Sequence, residues 1–189
     1  MHNRNGRYFV KSGYYVARQV LRNENWAECS RGSDKQRGWK ALLKERGRSG
    51  FGAMIRNERG EVMAAFSAIG PSVSGSEEAE TLACRKVVEF AIDVGFSELI
   101  IEGDSINVMR ALSSPSLDLS ICGNVVADIQ WLIHGIRRVS FNWVRSDCKR
   151  AAHVLARYAS NLNVEMYWME DAPLVALESM YQDSILMNT

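Results

Sequence analysis

Three consecutive apolar residues, Leu99-Ile100-Ile101, stand between one long helical pattern and the start of another. A strand with no polar face is buried on both sides of its sheet. Reaching it from a helix and leaving it into a helix makes it a parallel, crossover-connected strand. The chain is therefore an α/β protein.

The helical pattern before it begins at Ser76. Glu77 and Glu78 lie in the first turn, where the helix dipole favours acids. Ala79, Leu82, Ala83, Val87, Phe90, Ala91 and Val94 recur at three- and four-residue steps and form one buried face. Gly95 is a C-terminal stop. Upstream, 51–56 and 61–67 are strand-like, and Asn57-Glu58-Arg59-Gly60 between them supplies turn chemistry for a hairpin. Downstream, Glu102-Gly103-Asp104-Ser105 leads into a helix ending near Leu112, and Ser113 to Ser120 is a loop. Ile121 to His134 is amphipathic, with Val125, Ile129, Leu132 and Ile133 inward. Val139 to Val144 is a strand, Ala151 to Leu162 a helix, and Pro173 opens a short tail. From Gly50 the order is β-β-α-β-α-α-β-α. Before Gly50 the signals are weak. Arg7 to Lys11 is a short strand, Ser12 caps a helix to about Leu21, residues 22–38 form a polar linker, and Trp39 to Leu43 is an isolated apolar patch.

Composition narrows the class. With 189 residues, 47% hydrophobic and 24% charged, the chain suits one globular domain plus an extension. No run approaches the roughly 18 apolar residues of a membrane span, so no membrane partner is expected. The polar N-terminus is not followed by the apolar core of a secretory signal. Cys29, Cys84, Cys122 and Cys148 are scattered and read as reduced thiols of an intracellular protein, nuclear and cytoplasmic placement being indistinguishable. Residues 1–50 hold 12 Lys/Arg against 4 Asp/Glu, and the remainder 11 against 18. A basic arm on an acidic body is either a phosphate-binding segment or a solvated leader.

Asp104 is the most informative residue, because ligands of open α/β sheets gather beyond the carboxyl ends of the strands. A carboxylate there serves as a metal ligand, or else Asp104 or Ser105 caps the next helix. Glu80 lies in the first turn of its helix beside the apolar stripe, half-sheltered, where the dipole alone also explains an acid. His153 opens the last long helix as ligand, proton shuttle or plain helix residue. Arg137, Arg138, Arg145, Lys149, Arg150 and Arg157 surround it, opposed only by Asp147, and Trp143 adds an aromatic. Such a set suits phosphate contact and base stacking, and equally a solvated face.

Together these residues resemble the reverse-transcriptase-like RNase H family of plant retroelements. The motifs are 50–57 (Gly-Phe-Gly-Ala-Met-Ile-Arg-Asn), Gly60, Ala79-Glu80, Glu102-Gly103-Asp104-Ser105, Val144-Arg145 and Ala151-Ala152-His153-Val154-Leu155-Ala156, and the likeness covers about 48–185. It implies an RNase H-like mixed sheet with flanking helices and, ancestrally, Mg²⁺-dependent hydrolysis of RNA in RNA–DNA hybrids. In that chemistry carboxylates hold two ions about 4 Å apart. Glu80 and Asp104 are the implied metal ligands, with His153 joining them as a catalytic position. Arg145, Lys149, Arg150 and Trp143 are the implied nucleic-acid contacts. Gly6 to Tyr15 and Trp39 to Leu42 resemble the start of the zinc-binding region that follows such reverse transcriptases. Residues 1–47 are accordingly set apart as a basic remnant and linker, and 48–185 as the domain.

The chain departs from the family pattern in several places. The family's first strand carries an Asp-Gly pair whose Asp is a metal ligand, and no Asp-Gly precedes Gly50, so the first strand is missing on this reading. Trp143 stands where catalytic members have His, Lys149 where Asn is usual, and His153 in the place of the fourth acid. Two carboxylates are a poor cage for two Mg²⁺. The expectation is a nucleic-acid-binding domain whose catalysis is impaired or lost. One alternative is an active Mg²⁺-dependent ribonuclease that recruits Glu77, Glu78 or Asp147. Another is a retroelement relic. The gap left by the first strand requires a substitute, with Arg7 to Lys11 or Trp39 to Leu43 as the candidates.

Overall fold

In the computed structural model, which describes residues 8–16, 48–114, 122–145 and 149–187, the elements run β1 (Tyr8–Val16), β2 (Ser49–Asn57), β3 (Val62–Gly70), α1 (Ser76–Val94), β4 (Glu98–Gly103), α2 (Ile106–Ser113), α3 (Gly123–Leu132), β5 (Arg138–Trp143), α4 (Arg150–Ala159), β6 (Met166–Met169) and α5 (Leu177–Met187). The strands form one sheet in the order β5-β4-β1-β2-β3-β6. Strands β1, β4 and β5 are parallel, while β2, β3 and β6 extend the sheet by antiparallel pairing.

The central gap is filled. β1 pairs with β2 along its whole length, from Tyr8 opposite Asn57 to Val16 opposite Ser49. On its other side, Tyr8 to Lys11 pair with Leu99 to Glu102. Of the two candidates for the substitute, the segment read as a strand from Arg7 to Lys11 is the one that supplies it: described from Tyr8, it runs on to Val16 and takes the first strand's place in the sheet. The helix placed after Ser12 is corrected, since Ser12 lies within β1 opposite Ala53. Two flanking strands offer unpaired backbone groups at this place, and satisfying them outweighs a weak local helix signal. Trp39 to Leu43 lies outside the described residues.

The hairpin closes as its composition dictates. Asn57 Oδ1 accepts from the backbone N–H of Arg59 and Glu61 at 3.0 and 2.9 Å, and Gly60 takes φ 80°, which a residue with a Cβ adopts only at a cost. Alternation along β2 sends Phe51, Ala53 and Ile55 into the main core with α1. Met54 joins a smaller core with Ala151 and Leu155 of α4. Gly50 and Gly52 lie under α4 because nothing larger fits. A Cβ on Gly52 would sit 2.6 Å from the Ala152 carbonyl oxygen and closer still to the Ala156 nitrogen. Gly52→Ala is expected to cost about 1–3 kcal/mol, the range for overpacking against atoms unable to move aside, read as a lower urea midpoint at unchanged slope.

The first core lies between the sheet and α1, α2 and α3. β6 is an addition to the sequence reading: four residues that pair with Ala64 to Ser67 and form the edge beyond β3. No described helix is long and apolar enough to cross a membrane.

Candidate active site

Glu80, Asp104, Lys149, His153 and Trp143 meet at the carboxyl end of β4. Glu80, in the second turn of α1, is 1% exposed. Its Oε1 accepts from the Asp104 N–H at 2.7 Å and its Oε2 from the Ser105 N–H at 2.9 Å. This clamp needs Gly103, because a Cβ there would lie 2.5 Å from Glu80 Oε1. Ser105 is the cap of α2, its hydroxyl accepting from the Val108 N–H at 3.3 Å. That role leaves the Asp104 carboxylate available to the site.

The Lys149 side chain, 0% exposed, enters between the two acids. Its Nζ donates to Asp104 Oδ1 at 2.9 Å and stands 3.7 Å from Glu80 Oε1. His153 Nε2 lies 3.8 Å from the other Asp104 oxygen, Oδ2. Burial pushes the Glu80 carboxyl above the ordinary carboxylate range, with Lys149 opposing. Burial acts the same way on Asp104, but the charge and hydrogen bond of Lys149 overcome it and hold Asp104 below that range.

Trp143 frames the rim. Its indole Nε1 donates to the Asp104 carbonyl at 3.0 Å while the residue stays 52% exposed. Arg145 and Arg150 are exposed nearby in the chain. Two expectations are corrected here. Lys149 is sequestered by its two carboxylate partners and presents no surface to nucleic acid. Arg137 and Arg138 belong to the other end of β5, where they pair with Glu98 at 3.4 and 3.7 Å, about 16 Å along the strand from Trp143.

Sequence reasoning missed Asp183 of α5. It is 0% exposed, and its carboxylate oxygens accept from the Arg150 and Ala151 N–H groups at 3.2 Å each. It thereby caps α4 immediately after Lys149, the position of a helix where a carboxylate is most favourable. Nothing in local spacing signals a cap supplied from 32 residues away. Asp183→Ala is expected to cost about 1–2 kcal/mol, the upper part of the range for a lost cap, measurable by thermal melting. Arg56 lies buried by the same end of the sheet; burial lowers its pKa, and the charges of Asp183 and Glu102 counter that.

Mg²⁺ does not fit this donor set. The ion needs oxygen ligands at about 2.0–2.1 Å in octahedral array, and the space beside Asp104 Oδ1 that faces Glu80 is held by the Lys149 ammonium. β1 brings no acid, since Tyr8–Val16 reads YFVKSGYYV. The alternative acids are engaged elsewhere: Glu77 accepts from Asn107 at 2.7 Å and Glu78 from Ser74 at 2.6 Å. Asp147 lies outside the described residues. Among the described residues no group of three or more His, Cys, Asp and Glu is placed to hold a metal ion.

A mixed sheet with three parallel strands, a hairpin beside them and two acids at the end of β4 defines the RNase H class of fold. Within that class the chain belongs to the reverse transcriptase-like family, whose model matches residues 37–159. Among solved structures it is similar to RNase H1 from Halobacterium salinarum, with 20% identity, TM-score 0.60 and coverage of 82% of this chain and 98% of that one. It is also similar to the N-terminal RNase H domain of a Mycobacterium tuberculosis protein solved as a maltose-binding-protein fusion, with 17% identity, TM-score 0.58 and coverage of 83% and 95%. A third is LC11-RNase H1, isolated from compost, in complex with an RNA/DNA hybrid: 15% identity, TM-score 0.51 and coverage of 82% and 96%. At these identities the likeness is one of fold. No curated protein matches the chain. A zinc-binding remnant at the N-terminus has no support from the family match, and the segment assigned to it supplies β1.

Proposed function

We propose that this domain binds nucleic acid, with RNA–DNA hybrid the preferred form, and cleaves it poorly or not at all. The observation that carries this reading is the Lys149 ammonium lodged between Glu80 and Asp104, where hydrolysis would need divalent ions. LC11-RNase H1 and the foamy viral protease-reverse transcriptase, both similar in structure, were solved in complex with an RNA/DNA hybrid, which supports a hybrid as the ligand. Around the site, the exposed Trp143 ring offers a stacking surface, and Arg145 and Arg150 offer charge for phosphates. The basic residues 1–50 add a second, sequence-independent attraction.

Fluorescence anisotropy with a labelled hybrid is expected to give binding that weakens steeply with salt, since each phosphate contact releases counterions. Trp143→Ala weakens it by about five-fold or more, a stacked base being worth about 1–3 kcal/mol. Gels run in Mg²⁺ and in Mn²⁺ are expected to show little product. Rapid cutting that Asp104→Asn abolishes would overturn the reading in favour of an active ribonuclease.

A further inference from the structure

We propose that Lys149 is a tethered replacement for a divalent cation, filling its position between Glu80 and Asp104 so that the wild-type domain neither takes nor needs a metal ion there. The charges come first. Two carboxylates buried side by side repel, and one of them stays ionised only beside a positive charge or by leaving its proton on the other. Lys149 Nζ is 2.9 Å from Asp104 Oδ1 and 3.7 Å from Glu80 Oε1, so a positive charge already stands between the two carboxylates.

The alternatives for such a lysine are poor. An ammonium bears a large desolvation penalty when buried, and a side chain of this length ordinarily keeps its charged head in water. Lys149 is instead 0% exposed, at the N-cap of α4, where the helix dipole disfavours a positive charge. It is held there by the two carboxylates. α4 is in turn fixed by the buried Asp183 cap and by the close approach to Gly50 and Gly52. The stem that delivers the ammonium is therefore anchored by packing on both sides of the site.

Exclusion of the ion follows from space and charge together. A cation bound to Asp104 Oδ1 on the side facing Glu80 would overlap the ammonium. Ejecting the ammonium would strip Lys149 of both carboxylate partners. Glu80 cannot swing to make room, because both of its oxygens are clamped by backbone N–H groups of the next loop.

Thermal melting with and without millimolar MnCl₂ or MgCl₂ tests this without nucleic acid, so it fails separately from the proposed hybrid binding. The wild-type midpoint is expected to stay unchanged by either salt. Lys149→Gln and Lys149→Met both open the site to an ion. Each midpoint then rises by about 5–10 °C once metal exceeds its Kd about 100-fold, and adding Asp104→Asn removes the rise. The readout is the metal-dependent shift within each variant, so a lower starting stability does not obscure it. A comparable rise in the wild type overturns the proposal. So does a flat response in both folded lysine variants, because the lysine would then not be what keeps the ion out. Should neither variant fold, a metal-dependent rise in the wild type still refutes the proposal.

Discussion

A chain that begins at Arg48 is expected to lose cooperative unfolding altogether. Removing β1 opens the middle of the sheet, not an edge, and leaves one side each of β2 and β4 without partners. Each buried backbone group left unsatisfied costs about 1–3 kcal/mol, and several such groups exhaust the 5–15 kcal/mol that holds an ordinary domain together. The core suffers as well. Val10 is 0% exposed and Tyr8 packs its ring at 4.6 Å from that of Phe96. Val10→Asp in the full chain is a milder version of the same test, placing an unpaired carboxylate in that core. Circular dichroism during heating reads both. A sharp melt from the shortened chain, near that of the full one, would mean that another segment takes the place of β1.

The second large effect is expected at Lys149. Lys149→Ala should cost about 3–5 kcal/mol at neutral pH, the range for removing one member of a buried ion pair. The loss is electrostatic, since it leaves Glu80 and Asp104 facing each other with no counter-charge. Glu80 already sits above the ordinary range through burial, with the charge of Asp104 adding to the rise. Without the ammonium it takes up a proton at still higher pH. Adding Asp104→Asn to Lys149→Ala should recover part of the stability, because the two changes share one interaction and are not additive. Urea unfolding of the single and double variants measures this coupling. A double variant as unstable as the sum of its parts would place the role of Lys149 in packing alone.

The parts of the fold that local pattern controls were legible. The hairpin followed from turn residues between apolar runs, α1 from its stripe and Gly95, and β4 from an apolar run too short for a helix. Glu80 and Asp104 each stand where helix position alone explains an acid, so only the family resemblance paired them, and the structure brings them together at the end of β4. β1 was half legible. Its first residues look like a strand, but Ser12-Gly13 resembles a helix start, and only the vacancy between β2 and β4 decides the matter. β6 escaped because four residues at a sheet edge carry too little pattern. Asp183, and the buried role of Lys149, escaped for a different reason. Lysines and aspartates are almost always exposed unless paired, and here the partners come from distant segments: Glu80 and Asp104 for the lysine, the start of α4 for the aspartate.

The most direct measurement is anomalous diffraction from crystals of the wild-type chain soaked in MnCl₂. We expect no manganese peak between Glu80 and Asp104, with density for the Lys149 side chain running into that position and ending at the ammonium. A manganese peak ligated by both carboxylates, with Lys149 turned out to solvent, would contradict the central claim.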